Sequence, residues 1–155
     1  MHTRRDMLSH SATVAALLAS VGLLPSTARA QASAYNTAAF DAKAMPEALK
    51  LLGAGTPVES ADVTLTGPDI AENGAVVPIA AATSLPGVKR ILMLVEKNPA
   101  VLSAVFDVND AIEANIATRV KMGQSSNVYA VALMGDGKVL FAQKEIKVTL
   151  GGCGG

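Results

Sequence analysis

The feature that most constrains this chain is its punctuation from Ser60 onwards: short alternations of apolar and polar residues stop repeatedly at glycine or proline. A period of two places successive side chains on opposite faces of a strand, so each such stretch is a half-buried strand between turns. Val63 and Leu65 face one way and Thr64 and Thr66 the other, until Gly67-Pro68 stops them. Glu72-Asn73-Gly74 reads as a turn, and Val77-Pro78-Ile79 resumes the extended chain. Pro78 has no N–H to give to a ladder and requires an edge or strand-start position. Residues 88–95 form a nearly unbroken apolar run, the pattern of a buried central strand, and Asn98-Pro99 leads into a second run over 101–108. Ile116, Thr118, Val120 and Met122 alternate with Arg119 and Lys121, as on a strand with one solvated face. Residues 128–134, Gly135-Asp136-Gly137 and residues 139–150 predict a hairpin. In its second arm Ile146, Val148 and Leu150 oppose Glu145, Lys147 and Thr149.

About seven strands at this spacing, with many Gly/Pro turns, predict an all-β, immunoglobulin-like sandwich of two sheets. With no Trp, a single Cys and 3% aromatic residues, its core has to come from Val, Ile, Leu and Ala, without the disulfide of antibody domains. Residues 31–37 are small and polar, an expected loose arm. One short N-terminal helix is expected over 40–52. Pro46 suits its first turn, Glu47 the positive end of its dipole and Gly53 its termination, with Phe40, Leu49 and Leu52 as apolar contacts. Gly53-Ala54-Gly55-Thr56-Pro57 then separates helix from strands.

The first thirty residues read differently. Arg4-Arg5 precedes an apolar run over 12–24, Pro25 breaks it, and Ala28-Arg29-Ala30 is a small-residue cleavage pattern. The run falls short of the roughly 20 residues that span a bilayer, so no membrane insertion is expected. The paired arginines predict a twin-arginine export signal over 1–30, cleaved after Ala30, and a Sec signal would lead to the same compartment, the periplasm or beyond. Cleavage would remove Arg4, Arg5, Arg29 and Asp6, leaving ten basic residues against twelve acidic ones, no basic face for nucleic acid and no run of like charge. It would also remove both histidines, His2 and His10. What remains cannot form a Ser-His-Asp or Cys-His site, and it offers no His/Cys set for zinc, haem or copper, so no cofactor is expected. The remaining methionines, Met45, Met93, Met122 and Met134, are scattered and read as packing.

The last five residues are Gly151, Gly152, Cys153, Gly154 and Gly155, and Cys153 is the only cysteine. Glycine visits both signs of φ freely, so residues 151–155 are expected to be a flexible arm, reaching roughly 17 Å when extended. The plainer alternative is a frayed tail with an accidental cysteine. An unpaired cysteine in an oxidising compartment implies an intermolecular disulfide or a thiol kept for chemistry. An ordinary thiol has a pKa of about 8.5, so only about 3% is thiolate at pH 7, and no neighbouring histidine raises that fraction. A thiol with reach but no activating group suits a covalent carrier served by partner enzymes.

With these residues in view, the chain resembles the SoxY family of sulfur carriers in bacterial sulfur oxidation. The resemblance rests on the terminal Gly-Gly-Cys-Gly-Gly, on Ala71-Glu72-Asn73-Gly74-Ala75-Val76-Val77-Pro78, Val95-Glu96-Lys97-Asn98-Pro99, Thr118-Arg119-Val120-Lys121-Met122 and Lys147-Val148-Thr149-Leu150, and on the twin-arginine signal. It implies a sandwich carrier domain over 31–150 and a swinging arm over 151–155, with Gly151, Gly152, Gly154 and Gly155 as the arm and Cys153 as the attachment site. It implies no catalytic activity of the chain's own. Its implied partners are SoxZ, a second β-sandwich subunit forming a heterodimer, the c-type haem protein SoxAX, the hydrolase SoxB and the sulfur dehydrogenase SoxCD. The alternative from another class is a periplasmic Ig-like structural or assembly module, whose terminal cysteine only forms an intermolecular disulfide.

Overall fold

Pro46 decides how the chain enters its fold. Its ring collides with the carbonyl four residues back and offers no N–H, so a helix tolerates it only in the first turn. In the computed structural model, which describes residues 36–150, the helix expected over 40–52 is accordingly two: α1 (Thr37–Phe40) and α2 (Met45–Leu51), with Pro46 in the first turn of α2. The Ala42 carbonyl, which an unbroken helix would direct at residue 46, accepts the Val101 amide at 3.0 Å instead. The Glu47 carboxylate accepts the Lys43 amide at 2.8 Å, occupying one of the donors a helix start leaves unpaired. At the other end Gly53 turns to φ +70°, and the amides of Gly53 and Ala54 bond back to the carbonyls of Lys50 and Leu49. This is a Schellman termination, which needs a left-handed residue at that point.

Nine strands follow among the described residues: β1 (Pro57–Glu59), β2 (Val63–Thr66), β3 (Ile70–Asn73), β4 (Val77–Thr83), β5 (Val88–Val95), β6 (Leu102–Asp107), β7 (Asn115–Val120), β8 (Ser126–Met134) and β9 (Val139–Leu150). They form the expected two sheets. The larger runs β1-β9-β8-β5-β6, with β3 also paired to β9, and the smaller runs β2-β4-β7. The immunoglobulin-like sandwich is therefore present, with two strands beyond the expected number. The additions are β1 and β3, three and four residues long, each beside a proline and each parallel to β9. Neither carries a legible alternation, because what defines them is a partner more than seventy residues away in the chain.

The apolar continuity of residues 88–95 follows from burial on both faces of β5. Ile91, Met93 and Val95 point into the core between the sheets, against Val77, Ile79 and Ala81 of β4. Leu92 and Leu94 point the other way, into a second cluster closed by Ala39, Ala42, Ala48 and Leu49 of the helical segment. None of these five β5 side chains is more than 2% exposed. The molecule thus has three layers: helices, large sheet, small sheet. Pro78 sits second in β4, where β7 pairs with it but β2 has not begun, since β2 pairs only with residues 80–83. The β8–β9 hairpin closes on Gly137 at φ +88°, with the Asp136 carboxylate accepting the Lys138 amide at 3.0 Å.

Two leucines of α2 separate these roles. Leu49 is 1% exposed beneath the large sheet, whereas Leu51, two residues on, is 37% exposed. Leu49→Ala should lower the free energy of unfolding by about 2–5 kcal/mol, and Leu51→Ala by about 1 kcal/mol or less. Urea unfolding of the two variants checks this. Equal losses would contradict the helical layer as part of the core.

Candidate functional site

The expected site residues, Cys153 with Gly151, Gly152, Gly154 and Gly155, lie outside the described residues, as do Arg4, Arg5 and the Ala30 cleavage point. What is described is the root from which they continue. Strand β9 is twelve residues long and outlasts its hairpin partner, because β8 begins at Ser126 opposite Ile146. Beyond that point β3 takes over on the other side: Lys147, Val148 and Leu150 pair with Ile70, Ala71 and Asn73. Sequence reading placed Glu72-Asn73-Gly74 in a turn. Glu72 and Asn73 are instead the end of β3, and the turn starts at Asn73, whose side-chain oxygen accepts the Ala75 amide at 2.9 Å.

Three further bonds fix the root. The Lys147 amide reaches the Asp69 carbonyl at 3.0 Å, the Val148 amide the Ser125 hydroxyl at 2.9 Å, and the Thr149 hydroxyl the Glu72 carbonyl at 3.0 Å. The Ser125 hydroxyl thus stands in for the missing β8 backbone. Below it, the Lys144 ammonium bonds the Gly67 carbonyl at 2.6 Å and the Asp69 carboxylate at 2.8 Å. Gly67 has to be small here, since a Cβ would come within 3.0 Å of the Ile146 Cδ1 and 3.3 Å of the Ile79 Cγ2. Hydrogen bonding to Lys144, and then its charge, hold the Asp69 carboxyl below the usual carboxylate range. Ser126, the buried polar residue at the start of β8, accepts the Lys97 amide at 3.0 Å and donates to the Asn127 carbonyl at 2.9 Å.

The remaining expectations resolve as packing and solvation. Arg119 and Lys121 are exposed, while Met93 and Met122 are fully buried. Among the described residues no three His, Cys, Asp or Glu side chains are grouped to hold a metal ion, and no helix is long and apolar enough to cross a membrane. The root's supports, Ser125, Thr149 and the Asp69–Lys144 pair, were missed in the sequence. Single serines, threonines and lysines carry no periodic signal, and the pairing with β3 that recruits them is long-range. A cleft of about 790 Å³, lined in part by Asp62, Leu85, Val108, Asp110 and Glu113, lies at the opposite end of the sandwich, near the turn into β9. A shallower groove of about 460 Å³ lies beside Gly67, Pro78 and Arg119.

Fold and root together define an immunoglobulin-like sandwich whose last strand is clamped up to the point where a cysteine-bearing segment continues. Comparison with known proteins agrees. The family model for the sulfur oxidation protein SoxY matches residues 48–153, a stretch that ends on Cys153. Among solved structures, the sulfur carrier protein SoxY from Chlorobium limicola f. thiosulfatophilum matches at 34% identity, over 66% of this chain and 92% of that one, with a TM-score of 0.59. A superoxide reductase (neelaredoxin) from Ignicoccus hospitalis matches at 18% identity, over 56% of this chain and 78% of that one, with a TM-score of 0.50, a likeness of fold alone. No curated protein matches. The chain belongs to the SoxY family of sulfur oxidation proteins.

The Asp69–Lys144 pair makes root stability depend on pH. Because the folded-state pKa of Asp69 is depressed, the unfolded chain binds more protons in that range, and stability rises with pH through it. The contribution is complete above about pH 4, the ordinary carboxylate value, and is lost as the pH falls through the folded value. Lys144→Met should therefore unfold at lower urea than the parent at pH 7, with the gap closing towards pH 2. A gap of constant size across that range would contradict the pairing.

Proposed function

We propose that this protein is a periplasmic sulfur carrier in thiosulfate oxidation, holding its intermediates covalently on Cys153 and presenting them to partner enzymes. The observation that carries the reading is the SoxY family match, which runs through the sandwich and ends on the one cysteine of the chain. The root geometry supports it. A strand clamped to Leu150 gives the thiol a fixed origin, and the glycines on either side of Cys153 let residues 151–155 act as a swinging arm.

The chemistry needs no activating group on this chain. Joining thiosulfate to the cysteine forms one S–S bond, giving Cys–S–S–SO3−, and releases the thiol proton and two electrons. These electrons go to the c-type haem partner, SoxAX. Water then attacks the terminal sulfur in the hydrolase SoxB: the S–S bond to the sulfonate breaks, sulfate leaves, and Cys–S–SH remains. The sulfur dehydrogenase SoxCD removes six electrons from that outer sulfur, with three waters supplying its oxygens, and a second hydrolysis returns Cys–SH and sulfate. Each step brings the same atom to a different active site, which is the use of a long, slender arm. The proposal includes export by the twin-arginine signal over 1–30, cleavage after Ala30 and a heterodimer with SoxZ. Shared export of a folded pair accounts for a twin-arginine signal on a chain without a histidine beyond residue 30.

A strain whose only copy carries Cys153→Ser should lose thiosulfate-dependent oxygen uptake while still exporting the protein. Uptake at the parental rate would overturn the carrier reading. It would favour the structural module joined by a disulfide.

A further inference from the structure

Charge is unevenly distributed along the sandwich. At the end where β9 stops stand Lys97, Arg119, Lys121, Lys144 and Lys147, with Asp69, Glu72, Glu96 and Glu145 as the carboxylates. At the opposite end Asp62, Asp107, Asp110, Glu113 and Asp136 outnumber Lys89, Arg90 and Lys138. Asp69 is taken up by Lys144, and Glu96 accepts the Asn127 amide at 2.9 Å. Lys97, Arg119, Lys121 and Lys147 form no ion pair with any described residue.

Two of these cations are held together by design of the backbone. The Asn98 amide group donates to the Lys121 carbonyl at 2.7 Å, and its oxygen accepts the Gly123 amide at 3.2 Å. This ties the β5–β6 turn to the segment leaving β7, with Lys97 pinned next door by its bond to Ser126. That clamp sits at the root. The Met122 amide reaches the Gly74 carbonyl at 2.7 Å, and Gly74 follows Asn73, the partner of Leu150. Cys153 is three residues past Leu150, so its reach from that point is about 10 Å. The Debye length is also about 10 Å at 0.1 M ionic strength, so charges this close still act on a species approaching the thiol.

We propose that Lys97 and Lys121, clamped by Asn98, are positioning residues that attract sulfonate-bearing sulfur species to Cys153. The inference rests on the carrier reading and gives that site its preference in charge: thiosulfate, polythionates and the arm's own thiosulfonate cargo are all anions. A surface that is acidic overall would otherwise repel them, since basic residues number ten and acidic ones twelve beyond residue 30.

Tetrathionate is a suitable probe because it brings its own oxidising equivalents. The Cys153 thiolate attacks one of its inner sulfurs, the central S–S bond breaks, thiosulfate leaves with the electron pair, and Cys–S–S–SO3− forms. The reduced full chain would be treated with tetrathionate, a dianion, and in parallel with neutral iodoacetamide, following Cys153 modification by intact mass. In Lys97→Glu/Lys121→Glu the tetrathionate rate should fall about three- to ten-fold at 0.01 M ionic strength and less than two-fold at 0.5 M. The iodoacetamide rate should stay within about two-fold of the parent, as expected when only a screened charge term changes. Lys89→Glu, at the far end, should leave both rates unchanged. An unaltered tetrathionate rate, an equal fall with iodoacetamide, or the same fall in Lys89→Glu would each overturn the proposal. None of these results depends on thiosulfate oxidation in cells, so a failure here is distinct from a failure of the carrier reading.

Discussion

Strand β9 has to satisfy three partners, and the arrangement of the molecule follows from how its hydrogen bonds are shared. Its first eight residues are taken on one side by β8, its first three on the other by β1, and its last four by β3. A strand that ended with its hairpin partner would stop at Ile146 and release everything after it. Pairing with β3 carries order four residues further, and the Ser125 hydroxyl substitutes for the backbone that β8 no longer supplies. Buried or half-buried backbone groups must find partners, so the small loop before β4 is recruited as a strand.

A root of this kind is only as fixed as the sheet it belongs to. The large sheet is covered on both faces, by the small sheet and by the helical layer, which is why β5 is apolar at five consecutive positions. Burial of a Leu or Val side chain contributes roughly 1.5–3 kcal/mol. The helices are therefore part of what steadies β8 and β9, although they touch neither the root nor the cysteine-bearing segment's first residues. The lysines at the same end are placed by ordinary turn chemistry, through one asparagine side chain that bonds two loops at once.

Much of this was legible in the sequence because it is local. The run over 88–95, the alternation from Ile116 to Met122 and the Gly135-Asp136-Gly137 hairpin each appear as read, since burial on one or two faces writes itself directly into residue type. Pro46 was read into the first turn of its helix, but the break just before it was not, because Ala42 and Lys43 are good helix formers whose bonding partners are set by Val101 and Glu47. Strands β1 and β3 were invisible for a related reason. Val58 and Ile70 are more than half exposed, so their presence in a sheet is a property of β9 and not of their own pattern. Of the candidate site, the cysteine and its glycines stand out by composition, whereas the supports beneath them are single polar residues that only long-range pairing brings together.

The central claim is that Cys153 holds sulfur cargo, and the most direct measurement is the intact mass of the protein isolated from thiosulfate-grown cells, with and without reductant. The account predicts mass increments corresponding to sulfur and to sulfonate groups on Cys153, removed by reductant and rising or falling with thiosulfate supply. A population consisting only of free thiol and disulfide-linked dimer, unchanged by growth condition, would contradict it.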